Sequence, residues 1–214
     1  MPMRKLFFGA LFIFCCFPPA AAQSDDAPRA EFFAGYSVLK TKYRVEQPPG
    51  PPTLSVVGFR GEQTLNGFNA SATGYVARGF GLTGDFSGHF TTNTLPDPLG
   101  DRIETRIRVF NVLGGPQYKF RSGGRAAPFV RSLAGVAHTS AELSVPSINV
   151  SDTSSSTDFA LALGGGLDVR INDGVDLRVF QADYNPVFLS RGNELGFGRS
   201  RADNVRFSFG VVFK

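Results

Sequence analysis

The feature that most constrains this chain is an alternation of side-chain character with a period of two. In its last segment, DNVRFSFGVVFK, Val205, Phe207, Phe209, Val211 and Phe213 are large and apolar. Asn204, Arg206, Ser208 and Gly210 between them are polar or tiny. Successive side chains of a strand point to opposite faces, so this pattern predicts a strand with one apolar face. In FALALGGGLDVRI, Phe159, Leu161, Leu163, Leu167, Val169 and Ile171 alternate with Ala160, Ala162, glycines, Asp168 and Arg170. FNASATGYV sets Phe68, Ala70, Ala72 and Val76 against Asn69, Ser71 and Thr73. LTGDFSGHF sets Leu82, Phe86 and Phe90 against Thr83, Asp85, Ser87 and His89. Residues 31–39, 108–120, 128–141 and 175–184 alternate less cleanly, with a phase that is ambiguous or shifts at a bulge. Together these segments predict eight strands.

The N-terminus sets the compartment. Residues 1–22 run from the basic MPMRK through the apolar LFFGALFIFCCF to PPAAA, where Ala20 and Ala22 supply the small residues of a cleavage site before Gln23. This is the layout of a secretory signal peptide, and its apolar core is shorter than the roughly twenty residues a spanning helix needs. The remainder, 23–214, is expected to be one domain. Both cysteines, Cys15 and Cys16, leave with the leader, so the mature chain is expected to hold its fold without disulfides. Loss of Arg4 and Lys5 lowers the formal charge from +4 to +2 (4 − 2), too little to suggest a nucleic-acid partner.

Beyond the leader no apolar run reaches transmembrane-helix length, and the mean hydropathy is −0.04. A membrane β-barrel has the same average, because lipid-facing and interior residues alternate and cancel. The spacing between strands adds an independent signal. Long connections (40–65, 91–105, 142–157 and 185–202) alternate with the short ARGF, SGGRAA and NDG. An up-and-down outer-membrane barrel has long loops outside and tight periplasmic turns. In NDG, Asp173-Gly174 also suits a hairpin that needs positive φ.

These segments resemble the outer-membrane β-barrel domain family, the small eight-stranded OmpA- and OmpX-like barrels, over about residues 30–214. The resemblance implies an all-β fold: an eight-stranded antiparallel up-and-down transmembrane β-barrel in the cell outer membrane. It further implies insertion by the outer-membrane assembly machinery, which reads apolar residues at every second place of a last strand ending in Phe. Phe209, Val211 and Phe213 match that signal, and Lys214 after them departs from it, so its removal is expected to be neutral or helpful. With no Trp in the chain, the interfacial aromatic belt must be Phe with a few Tyr.

Motifs that could carry chemistry are few. GFGLTG (79–84) satisfies G-x-G-x-x-G, but a dinucleotide site needs a helix after it, and DFSGHF alternates like a strand. His138 and Ser140 share a strand face near Glu142, an arrangement similar to that of lipid A-modifying barrel enzymes; one His and one Ser at this spacing arise easily by chance, and the preferred reading is the polar rim where a strand leaves the membrane. His89 shares a face with Asp85 and reads as a polar group of the wall. No cluster has metal-ligand spacing, and no cofactor is expected. Glu31, Asp85, Arg108, Asp168, Arg170 and Arg206 are expected to form a polar network inside the barrel, with Arg106, Arg131 and Arg178 also assigned inward. An eight-stranded barrel is just wide enough for such side chains, which argues against a pore.

The reading is a non-enzymatic, monomeric barrel with an envelope-structural or surface-interaction role and with outer-membrane lipid and lipopolysaccharide as partners. The alternatives are a lipid A-modifying enzyme using His138 and Ser140, or a soluble secreted carrier like a lipocalin.

Overall fold

The structure, a computed structural model, describes residues 30–44, 62–77, 79–96, 102–121, 124–145, 150–189 and 200–214. The leader with Ala20 and Ala22 lies outside the described residues. The strands are β1 (Ala30–Arg44), β2 (Glu62–Tyr75), β3 (Phe80–Pro96), β4 (Arg102–Lys119) and β5 (Ala126–Val145), followed by β6 (Val150–Arg170), β7 (Val175–Tyr184), β8 (Val187–Leu189) and β9 (Ser200–Phe213). Each pairs antiparallel with its neighbours, and β1 pairs with β9, which closes the sheet. β8 continues the line of β7 past Asn185–Pro186, so nine strand segments build eight staves. Closure leaves the last strand no unpaired edge along its length.

The register sets the barrel's width and tilt. One row of partners runs Ala34, Ala70, Phe86, Val112, Val136, Phe159, Phe188, Arg201 and back to β1 at Arg44. It returns ten residues higher (44 − 34). That stagger tilts the staves against the axis, and eight staves enclose an interior just wide enough for side chains to fill.

Alternation assigns the faces as expected in the clean segments. Phe68, Phe86, Phe159, Phe207 and Phe209 point outward and are exposed, whereas Asn69, Thr83, Asp85, Asp168, Arg206 and Ser208 are buried inside. An apolar outer wall with a charged interior suits hydrocarbon outside, not water. Phase shifts where a bulge was expected: Val179 and Phe180 both face outward, and the β7–β9 register shifts between Arg178 and Gln181. Pro116, which has no N–H to give, sits where the β4–β5 pairing skips from Gly114 to Gln117.

The connections differ from expectation. The β3–β4 hairpin stays paired to Pro96 and Arg102, and β5–β6 to Val145 and Val150. Residues 91–105 and 142–157 are therefore mostly ladder that extends past the apolar band. Thr153, Ser154 and Ser155 are consecutive and all exposed, so both faces of β6 meet water there and the polar run 151–157 carries no alternation to reveal the strand. The NDG turn also closes differently: the Gly174 N–H donates to Asn172 Oδ1 at 3.0 Å, and Gly174 itself has no positive φ. Gly79, with φ 81°, supplies the left-handed residue instead, just ahead of β3, which confirms that GFGLTG leads into a strand.

Candidate functional site: the barrel interior and its outer rim

The interior is layered. Toward the β1–β2 tips, Leu39, Leu65 and Val109 form one apolar cluster, with Ile107 against it. Leu113, Leu133, Ala137, Ala160, Ala162, Val187 and Ala202 form a second. Below them lie the charges.

The central group is electrically balanced. Arg131 from β5 donates from Nε and Nη2 to the two oxygens of Asp183, at 2.9 and 2.7 Å, and its Nη1 lies 3.0 Å from Asp85. Arg206 from β9 spans the same two carboxylates, reaching Asp85 at 2.8 Å and Asp183 at 3.1 Å. Two arginines against two aspartates satisfy each other where water is excluded, which is the condition for burying charge. Above this group His89 Nε2 lies 2.9 Å from Ser37 Oγ, and Ser208 donates to the same serine.

A second group occupies the end with the short turns. Lys119 Nζ contacts Glu31 and Asp168 at 2.9 Å each and Asp176 at 3.5 Å. Arg178 pairs with Asp168 at 2.8 Å, with its guanidinium 4.4 Å from the Phe33 ring and 4.2 Å from the Phe129 ring. Gln181 joins the groups, accepting from Arg178 at 2.7 Å and donating to Asp183 at 2.8 Å. Lys214 reaches Asp176 at 2.5 Å. The last residue, read as a blemish in the assembly signal, is thus a strut of this layer.

Of the expected interior residues, Glu31, Asp85, Asp168 and Arg206 are buried and joined, as are Arg131 and Arg178. Arg108 is not: it faces outward on β4, half exposed, with Glu142 4.0 Å away. Arg106 shares that outward face. Val109, Asn111, Leu113, Gln117 and Lys119 point in, and the apolar layer behind β4 puts large apolar residues on both faces, which hides the phase. Arg170 is also exposed, because β6 has reached the rim by Asp168. The reading missed Lys119, Asp176 and Asp183. Lys119 and Gln117 do alternate with Phe120 and Tyr118, a signal that was present.

His138 and Ser140 lie on the outer wall. The His138 ring bonds Thr157 Oγ1 at 2.8 Å, across the β5–β6 ladder. Phe209, Val211 and Phe213 line the outer face of β9, and Phe209 and Phe213 are about half exposed. Among the described residues no group of His, Cys, Asp and Glu is arranged to hold a metal.

Residues 7–214 match the outer membrane protein beta-barrel domain model. The chain belongs to this family. It is an integral outer-membrane protein, and a soluble lipocalin-like carrier is excluded by that membership together with the apolar outer wall. Among solved structures it is similar to Ail of Yersinia pestis in complex with the heparin analogue sucrose octasulfate, with a TM-score of 0.53 at 16% identity, covering 87% of this chain and 100% of that one. It is also similar to Neisserial surface protein A (0.47, 14% identity, 86% and 96% covered). OprG of Pseudomonas aeruginosa gives 0.45 at 13% identity, with 86% and 94% covered. No curated protein matches the sequence.

Proposed function

We propose that this barrel is a non-enzymatic monomer with an envelope-structural or surface-interaction role, acting through its outer wall and the ends of its long hairpins, and not an open pore. The observation that supports this reading is the filled interior. The side chains of Arg131, Arg206, Asp85 and Asp183 are all 0% exposed and cross the barrel at mid-height, under an apolar layer. An ion crossing such a lumen would have to displace a paired network, and the loss of one buried partner costs several kcal/mol. Enzymatic use of His138 and Ser140 gains no support from the geometry, since the hydrogen bond the ring makes goes to Thr157. Insertion through the outer-membrane assembly machinery is part of the same proposal.

The test is reconstitution in a planar bilayer, together with mass spectrometry of lipid A from cells that express the protein. No porin-sized conductance steps and an unchanged lipid A spectrum are expected. Discrete steps would overturn the closed-barrel reading, and a new lipid A species lost in His138→Ala would overturn the non-enzymatic one.

A further inference from the structure

Three arginines stand together at the mouth of the barrel with the short turns. Arg121 follows inward-facing Lys119 by two residues, and Arg170 follows buried Asp168 by two. Arg125 precedes Ala127, the register partner of Asp168, by two. The Phe120 N–H donates to the Pro128 carbonyl and the Arg170 N–H to the Arg125 carbonyl, both at 2.8 Å, so the ladder persists to this level. A spacing of two therefore keeps all three on the inner face of the adjacent staves β4, β5 and β6. Arg121 is engaged: it lies 3.3 Å from Glu31 and 4.5 Å from the centre of the Tyr75 ring. Arg125 and Arg170 are exposed, and among the described residues neither side chain has an ion-pair or hydrogen-bond partner. The buried carboxylates beneath them are occupied, Glu31 and Asp168 by Lys119 and Asp176 by Lys119 and Lys214. Asp173 is exposed in the neighbouring turn, and no ion pair joins it to either arginine.

Across the mouth stands the start of β1, because in a ring of eight staves the fifth faces the first. The register gives their relative height. A row of partners runs from Phe129 through Gly166, Gln181 and Ser208 to Ser37. Half of the ten-residue stagger separates β5 from β1, which puts Phe129 level with position 32 of β1 (37 − 5). Arg125, four residues lower, is then level with position 28 (32 − 4), just below Ala30. The chain that enters β1 there is Gln23–Arg29, QSDDAPR, which precedes the described residues. Asp26 and Asp25 are four and five residues before Ala30. Extended backbone covers about 3.3 Å per residue, so they reach about 13 and 17 Å from Ala30. Eight staves about 4.8 Å apart and tilted by about 40° form a cylinder about 16 Å across. The reach of the acidic pair thus matches the width of the mouth. Pro28 holds Ala27 to extended backbone, which suits a short span, and Arg29 is kept at the β1 side by its link to Ala30.

We propose that the segment Gln23–Arg29 crosses this mouth and docks Asp25 and Asp26 on Arg125 and Arg170, a strap that ties β1 to β5 and β6. Charge and length favour this occupant over others. A guanidinium fork matches a carboxylate, and a tether of four or five residues holds both carboxylates at a local concentration that a free anion would have to exceed. Inner-face residues at the end of the barrel axis face the mouth and not the surrounding lipid. The strap goes beyond the closed-barrel reading, which rests on the side chains at mid-height, so its failure leaves that reading intact.

The test uses the chain from Gln23 to Lys214 with no added residue, folded in zwitterionic detergent, and reads the rate at which phenylglyoxal modifies each arginine by mass spectrometry. Asp25→Asn with Asp26→Asn should speed modification of Arg125 and Arg170 by about threefold or more, because their tethered carboxylates are lost. Arg201, which pairs with Asp203 on the outer wall, should react at the same rate in both chains. Raising sodium chloride to about 0.5 M should speed the same two sites in the unaltered chain, since exposed pairs are screened. The substitutions lie outside the strands, and the unboiled gel confirms that both chains are folded. Equal rates at Arg125 and Arg170 in the two chains would overturn the strap. So would protection that appears in both chains only when phosphatidylglycerol is added, which would assign the arginines to lipid headgroups, or only with inorganic phosphate, which would indicate a free-anion site.

Discussion

Arg131 and Asp183 meet inside the barrel as a two-toothed pair, Nε to Oδ1 at 2.9 Å and Nη2 to Oδ2 at 2.7 Å, linking β5 to β7 across strands that are not neighbours. Asp183 also receives Arg206, so one carboxylate holds two guanidiniums. Asp183→Ala is expected to destabilise the folded barrel by about 3–5 kcal/mol, because it leaves two buried cations to one remaining aspartate. Urea unfolding in lipid vesicles measures this. Lys42→Ala, which breaks the solvent-exposed pair with Glu62, should leave the midpoint in place, and a shift as large as that of Asp183→Ala would show that burial is not what matters.

The stack of Phe33, Arg178 and Phe129 depends on backbone space. A Cβ at Gly166 would come 2.3 Å from the Phe180 carbonyl oxygen and 2.9 Å from the Phe129 ring, and one at Gly35 would come 2.7 Å from the Phe33 ring. Gly166→Ala should therefore displace Phe129 from Arg178 and lower the urea midpoint more than Gly174→Ala, since Gly174 lies in an open turn where the nearest atom to such a Cβ is 3.8 Å away. Equal midpoints for the two variants would count against the stack.

At the end of the chain, Phe213 and Lys214 are expected to act through different steps. Phe213→Ala removes an outward aromatic from the closing strand and should reduce the amount of folded protein in the outer membrane. Lys214→Ala leaves that face intact but deprives Asp176 of a partner 2.5 Å away. It should insert normally and unfold at lower urea, the opposite of the neutral or helpful effect expected from the assembly signal alone. Quantitative fractionation with the gel-shift assay separates the two, and normal folded levels of Phe213→Ala would remove the assembly role.

Topology is testable on intact cells. Trypsin is expected to cut at Arg60, Arg191 or Arg199, on the end of the barrel reached by the longer connections. It should spare Arg125 and Arg170, at the end with the tight turns. Cutting at Arg125 or Arg170 in unbroken cells would mean that the barrel is inverted.

The outer hairpins and the β4 arginines show where reading the chain stopped short. In 151–157 the run SDTSSST is polar throughout, and only pairing such as Ser140 with Ser155 shows it to be ladder. A strand wet on both sides has no reason to alternate.

The sequence by itself determined the all-β class, the eight staves and the inward or outward direction of β2, β3, β6 and β9. In those strands one face meets hydrocarbon and the other meets charge, so composition records the geometry residue by residue. The tertiary structure alone decided the phase of β4, the exposure of Arg108 and Arg170, and the partners of Lys119, Asp183 and Lys214. Over 109–113 the apolar layer inside the barrel puts large apolar residues on both faces of β4, Val109 and Leu113 inward and Phe110 and Val112 outward, and only hydrogen bonding to β3 and β5 sets which one turns inward. The ion pairs join strands such as β5 and β7, or β3 and β9, across the lumen, and no spacing along the chain encodes a distance that exists only once the sheet has closed with its ten-residue stagger.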